Sequence, residues 1–299
     1  MFSASDVKDL REKTGAGMMD CKKALDACEG NMEKAIDWLK EKGIAKAAKK
    51  ESRIAAEGIT DAAGDNSDNQ AIIFEVNCET DFVTKNEKFT ALVKEIRDAL
   101  MNSNANTTEE AKEVKLSSGK TVEEAIVEAT ATIGEKISFR RFERITKNDD
   151  EVFGIYSHMG GKITVVVVVK GSNVEVARDV AMQACAMSPI AVNRDNVPKE
   201  MVEHEKEMIL AEIKNDEKNA SKSEEILDKM ATGRLSKFFK ENCLVEQDFI
   251  KDSSMTVAKY AEANGCEVLS MVRFAVGEGI EKKQENFAEE VAAQIDAAN

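Results

Sequence analysis

One short segment of the chain carries residue types that could act on another protein. Asp81 can compete for hydrogen-bond donors or cation-bound water, while the neighbouring Phe82 can wedge into an apolar slot. A capping-box spacing from Thr84 to Glu87 predicts that a helix begins just after them. In the ordinary alternative, which spacing alone favours, Phe82 folds back onto its own core and Asp81 helps to cap that helix. The whole segment consists of Thr80, Asp81, Phe82 and Val83.

Groups that usually serve as catalytic bases are scarce. The two histidines, His158 and His204, lie far apart, so histidine-based metal sites and Ser–His or Cys–His pairs have few candidates. Cys78 alternates with Phe74 and Val76 along a predicted strand, which indicates a small core residue rather than a nucleophile. We therefore expect no enzyme activity, no metal site and no cofactor.

Two glycine-containing segments have structural rather than nucleotide-binding interpretations. Gly119-Lys120-Thr121 resembles the end of a phosphate-binding loop, yet Val114 stands where that motif requires its first glycine. Residues 160–162 join two β-rich runs and predict a hairpin turn. The chain is therefore not expected to hydrolyse nucleotides itself.

The charge balance and the length of apolar runs restrict the possible partners. The 42 Lys and Arg residues against 56 Asp and Glu residues give a net charge of −14, which repels a phosphate backbone, so no direct nucleic-acid partner is expected. The longest apolar run, residues 163–169, falls far short of the roughly 18 to 20 residues that cross a bilayer, so no membrane contact is expected. No signal peptide is expected, and cysteines without a C-x-x-C pair indicate reduced thiols in the cytoplasm.

The first part of the chain predicts a small helical module. Residues 5–42 have the periodicity of three short helices within a module at 1–43, with Ser5 as the first cap and Gly43 as the end of the third helix. A lysine- and alanine-rich helix at 44–56 is predicted to connect this module to the rest. A module of this size is expected to bind a partner and to do little else.

The remainder contains an internal duplication. Residues 57–147 predict a β-β-α-α-β unit, and residues 148–195 together with 241–277 repeat the same order. Adjacent strands with tight turns imply antiparallel pairing, with helices on one face of each sheet. The sequence therefore predicts an α+β fold.

Two helical segments are added to this duplicated core. Residues 196–240 interrupt the second copy and predict a projecting hairpin, whose apolar stripe could bind a second copy of the chain or be satisfied within the hairpin. Residues 278–299 predict a C-terminal helical module in which Phe287, Val291 and Ile295 share one face. The hairpin is thus a candidate for contact with another chain, and the C-terminal helix is expected to dock either on this chain or on another.

Four segments of the chain have long, ordered patterns of residue types. Two of them are residues 10–25 (LREKTGAGMMDCKKAL) and residues 75–83 (EVNCETDFV). The others are residues 233–239 (GRLSKFF) and residues 272–280 (VRFAVGEGI). The first two segments resemble the opening and second sequence signatures of bacterial translation elongation factor Ts, and the other two are further matches to it. The resemblance covers essentially the whole chain.

This resemblance implies a guanine nucleotide exchange factor that binds elongation factor Tu and promotes exchange of GDP for GTP in the bacterial cytosol. Family members have a ubiquitin-associated-like three-helix module, two related core subdomains, a helical hairpin for dimerisation and a C-terminal helical module. A non-catalytic binding or scaffold protein, which holds the GTPase through the N-terminal module without accelerating exchange, is the alternative.

The same resemblance assigns roles to particular residues. Asp81 and Phe82 would intrude near the magnesium ion and nucleotide of the GTPase, framed by Thr80 and Val83. His158 would contact another domain of the GTPase. The dipeptide Ile250-Lys251 departs from the Val-Met of some relatives, so the role of that segment is left open. The N-terminal docking surface would consist of Arg11, Met18, Met19 and Lys22.

Overall fold

A computed structural model describes residues 2–64, 66–67, 69–219 and 222–281. The chain divides into two units, each of which has its own core. Of the described residues, the first unit takes those in the ranges Met1–Ile59, Glu75–Arg141 and Val276–Asn299. The second unit takes those in Thr60–Phe74 and Phe142–Ala275.

Helices and strands are mixed along the chain, which confirms the predicted α+β class. The described helices are α1 (Ala4–Thr14), α2 (Met18–Ala27), α3 (Met32–Ala48), α4 (Glu87–Met101), α5 (Thr108–Lys112), α6 (Val122–Ile133), α7 (Val174–Met187), α8 (Lys199–Asn215), α9 (Glu224–Asn242) and α10 (Val257–Ala263). The described strands are β1 (Glu57–Gly64), β2 (Gln70–Cys78), β3 (Ile137–Thr146), β4 (Glu151–His158), β5 (Ile163–Lys170), β6 (Asp248–Phe249), β7 (Asp252–Thr256) and β8 (Glu267–Ala275).

Three helices at the N-terminus enclose a small apolar core, as the sequence predicts. Leu10 of α1 and Leu25 of α2 are fully buried there, together with Cys21. The predicted cap at Ser5 is wrong, because Ser3, two positions earlier in the chain, caps α1. Ser3 accepts a hydrogen bond from the Asp6 backbone, and the Asp6 carboxylate accepts one from the Ser3 backbone at 2.6 Å. This reciprocal capping box also lowers the pKa of Asp6.

The predicted helix boundary at Gly43 and the separate helix at 44–56 are also wrong. The helix α3 continues through Gly43 to Ala48, and the residues that follow form turns and extended backbone. A Cβ atom on Gly43 would lie only 3.2 Å from the Ala131 Cβ atom of α6. The glycine therefore lets α3 pack closely on α6 instead of ending the helix.

The duplication is visible in the strand order of the two main sheets. One sheet has the order β1-β2-β3, and the other has the equivalent order β4-β5-β8. In the second sheet, β5 pairs antiparallel with both neighbours. Residues 159–162 connect β4 to β5, and Gly160 and Gly161 adopt the positive φ angles that this turn requires. The hairpin predicted at this glycine pair is confirmed.

Alternating residues of β5 enter two different apolar clusters of the second unit. Val165 and Val167 pack with α7, where Val180 is fully buried. Val166 and Val168 face a second cluster that includes buried residues of β2, β3 and β4. The β-branched run therefore forms a strand that is buried on both sides.

Helices α8 and α9 form the predicted inserted hairpin. Its buried core contains Ile209 and Ile213 from α8 and Leu227 and Ala231 from α9. Much of the apolar stripe is therefore satisfied within the hairpin, although Met208 is 51% exposed. Self-association through residues 196–240 stays a prediction.

The predicted C-terminal helix falls at 278–299, and residues 282–299 of it lie outside the described part of the chain. Among the residues that the structure describes, no helix is long and apolar enough to cross a membrane.

Close packing of β4 against α7 gives a test of the second unit. A Cβ atom on Gly154 would overlap the carbonyl oxygen of Ala177, whereas one on Gly233, inside α9, would meet nothing within 4 Å. We expect Gly154→Ala to lower the free energy of unfolding by about 1–3 kcal/mol. The control Gly233→Ala should leave it unchanged or raise it by up to about 1 kcal/mol, because alanine favours helix. Urea unfolding measures both, and equal effects would contradict the packing described.

Candidate functional site

The segment 80–83 lies in the first unit, between the end of β2 at Cys78 and the start of α4 at Glu87. A short 3-10 turn at Val83–Lys85 shapes the connection. Asn86 caps α4 by accepting a hydrogen bond from the Lys88 backbone, so the capping box predicted at Thr84 is wrong. The Thr84 hydroxyl instead donates to the Asp81 carbonyl at 2.7 Å, which closes the turn on itself.

Phe82 projects from this turn into solvent. Its side chain is 79% exposed, and Asp81 beside it is also exposed. The alternative in which Phe82 folds back onto its own core is therefore wrong, and Asp81 does not cap α4. Burial of a large aromatic side chain is favourable, so an exposed ring on an ordered turn is suited to burial against a partner.

The residues on either side of the exposed pair are anchored. Val83 is 5% exposed and holds the end of the segment in the protein. Thr80 donates two hydrogen bonds to the carboxylate of Glu135, at 2.8 Å from its backbone N–H and at 2.7 Å from its hydroxyl. The Cys78 thiol donates to the Thr80 carbonyl oxygen at 3.1 Å, so Cys78 is a buried structural residue, as predicted. Ring and carboxylate therefore project from a backbone that is fixed at both ends.

A second carboxylate, that of Glu79, completes the anchor. It accepts a hydrogen bond from the Lys136 backbone at 2.5 Å and lies 3.3 Å from the Arg53 guanidinium. Sequence patterns did not indicate Glu135, because the residues it holds lie 55 positions away. The only local signal is Gly134, which ends α6 in a left-handed conformation and turns the chain toward the segment.

The four residues of the predicted docking surface are all exposed. On α2, Met18 and Met19 are 54% and 64% exposed, and Lys22 shares a helix face with them because it follows by four and three positions. Arg11 is exposed in the last turn of α1. The structure thus combines two methionines and a lysine on one helix face, with the arginine on a neighbouring helix.

The predicted core contact, His158, lies at the end of β4 in the second unit. It is exposed, and a hydrogen bond of 3.3 Å joins its Nδ1 atom to the Tyr156 hydroxyl. The two rings stack with centroids 6.1 Å apart. Met159, the next residue, is 75% exposed and begins the glycine turn. His158 is therefore held by Tyr156 at an accessible edge of its sheet.

The segment at 250–251 is fixed on α7. The Ile250 backbone donates to the side chain of Gln183, and Lys251 pairs with Asp179 at 2.5 Å. The Tyr260 hydroxyl donates to the same carboxylate at 2.9 Å. Burial and this hydrogen bond raise the pKa of Tyr260 to about 12. The Ile250 side chain stays 51% exposed, so this edge presents an apolar group on a fixed backbone.

A buried carboxylate that the sequence did not indicate lies near the end of β2. Glu75 is fully buried and accepts hydrogen bonds from Arg140 at 3.1 Å, from Arg141 at 2.5 Å and from the Gly277 backbone at 2.8 Å. Two adjacent arginines of β3 supply the positive charge that makes burial of this carboxylate tolerable.

A cavity of about 690 Å³ lies elsewhere in the first unit, lined by α2, α3 and α6. Its apolar lining includes Trp38, Leu39 and Val127, but none of residues 80–83. Among the described residues, no group of three His, Cys, Asp or Glu side chains is placed to hold a metal ion. The exposed segment 80–83, rather than a pocket, is therefore the main candidate site.

An exposed aromatic and acidic pair on an anchored turn is suited to contact with another macromolecule. Residues 79–278, about two thirds of the chain, match the family model for elongation factor TS, and the chain belongs to this family. It is accordingly a translation elongation factor of the nucleotide-exchange type. The matched region contains the segment 80–83 and His158, whereas Arg11, Met18, Met19 and Lys22 lie before it.

Exposure of the Phe82 ring can be tested by stability alone. We expect Phe82→Ala to change the free energy of unfolding by no more than about 0.5 kcal/mol, as is usual for surface positions. Phe89→Ala, which removes a fully buried ring from α4, should cost about 3–5 kcal/mol. Chemical denaturation of both variants gives the comparison, and similar losses would show that Phe82 supports its own core.

Proposed function

We propose that the chain binds the GDP form of elongation factor Tu, disturbs its magnesium and phosphate site, and so promotes release of GDP and its exchange for GTP. The observation that carries this proposal is the exposed Phe82 ring, held beside Asp81 on a turn whose ends are fixed. The proposed site of action is in the bacterial cytosol.

The physical basis is the way in which a GTPase holds its nucleotide. Mg²⁺ bridges phosphate oxygens and protein groups, and it demands near-ideal geometry from its ligands. Phe82 displaces a side chain of the GTPase, and Asp81 competes for donors or metal-bound water. The metal site then loses its geometry, and GDP affinity falls without any covalent step. No catalytic base is required for this process.

Preorganisation makes the exposed pair effective. A flexible segment would lose about 1–2 kcal/mol of backbone entropy for each residue ordered on binding. Thr80 and Val83 are already fixed, so little of that loss falls on the complex. The free energy gained by burying the ring remains available for opening the nucleotide site.

Thermodynamic linkage constrains the cycle. If binding of this chain lowers the affinity of the GTPase for GDP by a certain factor, binding of GDP must lower the affinity of the GTPase for this chain by the same factor. Binding of GTP then expels the exchange factor. A complex that resists excess nucleotide would be inconsistent with this mechanism.

Other surfaces are proposed to supply attachment rather than exchange. The N-terminal surface of Arg11, Met18, Met19 and Lys22 docks on the GTPase, and His158 contacts another of its domains. If the chain were only a scaffold, these contacts would persist while the rate of GDP release stayed unchanged. The acidic net charge of −14 agrees with a protein partner and disfavours direct binding to nucleic acid.

Removal of the Phe82 ring should separate exchange from binding. We expect Phe82→Ala to slow the maximal release of labelled GDP from elongation factor Tu at least about tenfold, because a central aromatic anchor contributes about 2 kcal/mol or more. Association should weaken far less. Stopped-flow release at saturating factor and calorimetric binding measure the two effects. Ile226→Ala, which shortens an exposed apolar side chain on α9, is the control. Equal losses of rate and affinity would mean that the ring only docks.

Charge reversal on the docking surface should give the opposite pattern. Lys22→Glu or Arg11→Glu is expected to weaken association and to make it less sensitive to salt, because rim charges act mainly on encounter. Maximal GDP release at saturating factor should be retained. Lys229→Glu, an exposed position on α9, makes the same change in net charge as a control. If the docking-surface variants leave the affinity as unchanged as the control does, this surface is not part of the interface.

A further inference from the structure

We infer that Glu79 and Glu135 are positioning residues, whose carboxylates form a reciprocal clamp that fixes the backbone from which Phe82 projects. The inference rests on the proposed function, since it concerns how the exchange segment is presented. We define the clamp as residues 79–80 on one side and residues 135–136 on the other. Each side contributes one carboxylate and one backbone N–H to the other side.

The hydrogen bonds of the clamp are short and charge-assisted. Glu135 accepts from the Thr80 N–H at 2.8 Å and from the Thr80 hydroxyl at 2.7 Å. In return, Glu79 accepts from the Lys136 N–H at 2.5 Å. Ionised acceptors give shorter and stronger hydrogen bonds than neutral ones. The arrangement works like a helix capping box, but it joins two segments that are more than fifty positions apart in the chain.

The clamp acts on Phe82 through only two backbone steps. The Val83 N–H donates to the Thr80 carbonyl oxygen at 3.3 Å, and the Val83 side chain is buried. Phe82 therefore lies between one residue that the clamp holds and one residue that the core holds. Rotation of the backbone at Thr80 would redirect the ring, whereas loss of the clamp would leave the ring exposed and still able to touch a partner.

The chain segment that follows the N-terminal helices also contacts the clamp and its neighbour Gly134. Lys50 donates to the Gly134 carbonyl oxygen, and Lys136 donates to the Glu51 carbonyl oxygen. Arg53 lies 3.3 Å from the Glu79 carboxylate. The turn at residues 134–136 therefore contacts both Thr80 and the chain segment that follows α3. All of these residues lie in the first unit.

Loss of the clamp should therefore change the efficiency of exchange more than binding. A misplacement of about 1 Å in a reacting geometry can cost roughly 100-fold in rate. Loss of the Glu135 carboxylate removes only the hydrogen bonds to Thr80 and leaves the contacts of Lys50, Glu51 and Arg53 in place, so the concentration of factor that gives half-maximal effect should move little. A residue with a purely structural role would lower stability and affect both quantities together.

The test uses Glu135→Ala in the full-length chain and stopped-flow release of labelled GDP from elongation factor Tu. We expect the maximal release rate to fall roughly 10- to 100-fold, while the half-maximal concentration changes less than about threefold. Glu135→Gln, which keeps the shape and one carbonyl acceptor, should restore much of the rate. Glu128→Ala is the control, since Glu128 lies on α6 and pairs with Lys120 at the surface.

A second pair of variants keeps the test decisive if Glu135→Ala folds poorly. Thr80→Val removes the hydroxyl donor to Glu135 and should slow release, whereas Thr80→Ser keeps that donor and should release GDP faster than Thr80→Val. Hydrogen exchange at the Thr80 amide of the free chain should lose protection in Glu135→Ala, independently of any GTPase.

The possible failures can be distinguished. If the wild-type chain leaves GDP release unchanged, the proposed function is wrong, and the clamp has no role in exchange. If the wild-type chain accelerates release and both Glu135→Ala and Thr80→Val match it, the clamp inference alone is overturned. Parallel loss of rate and affinity in these variants would also overturn it.

Discussion

Two carboxylates, those of Glu79 and Glu135, each bind the backbone of the other's segment, and the presentation of Phe82 depends on this exchange of hydrogen bonds. An aromatic ring that is exposed to water contributes no burial energy to the stability of its own protein. Here the ring is exposed on a turn that Thr80 and Val83 fix on both sides. Local order and exposure are thus combined at one position, as contact with a partner requires.

The same principle recurs at Glu75, also in the first unit. Glu75 is fully buried, and it binds both Arg140 and the Gly277 backbone, so the chain leaving β8 is tied to β2 near its end. A buried ion pair contributes little net stability, but removal of one partner leaves an uncompensated charge. Such a network therefore defines where a segment lies more than how tightly the protein folds. Gly277 is required at this point because a Cβ atom would overlap the Ala56 carbonyl oxygen.

Much of the fold could be predicted from sequence because its signals are local. The glycine pair at 160–161 and the β-branched run at 163–169 determine their own turn and strand. Gly43 was misleading because its role is set by Ala131, which packs against it from a distant helix. The position of the candidate segment was predictable, whereas its clamp was not. No periodic pattern in the sequence indicates the contacts of Glu135 or Glu75, because tertiary structure alone brings their partners to them.

The most direct measurement is the rate at which labelled GDP leaves elongation factor Tu as this chain is added. We predict that the rate rises with concentration and saturates at a value well above spontaneous release, because the exposed pair acts within a bound complex. A rate that stays at the spontaneous value while binding is observed would contradict the exchange mechanism and identify the chain as a binding protein alone.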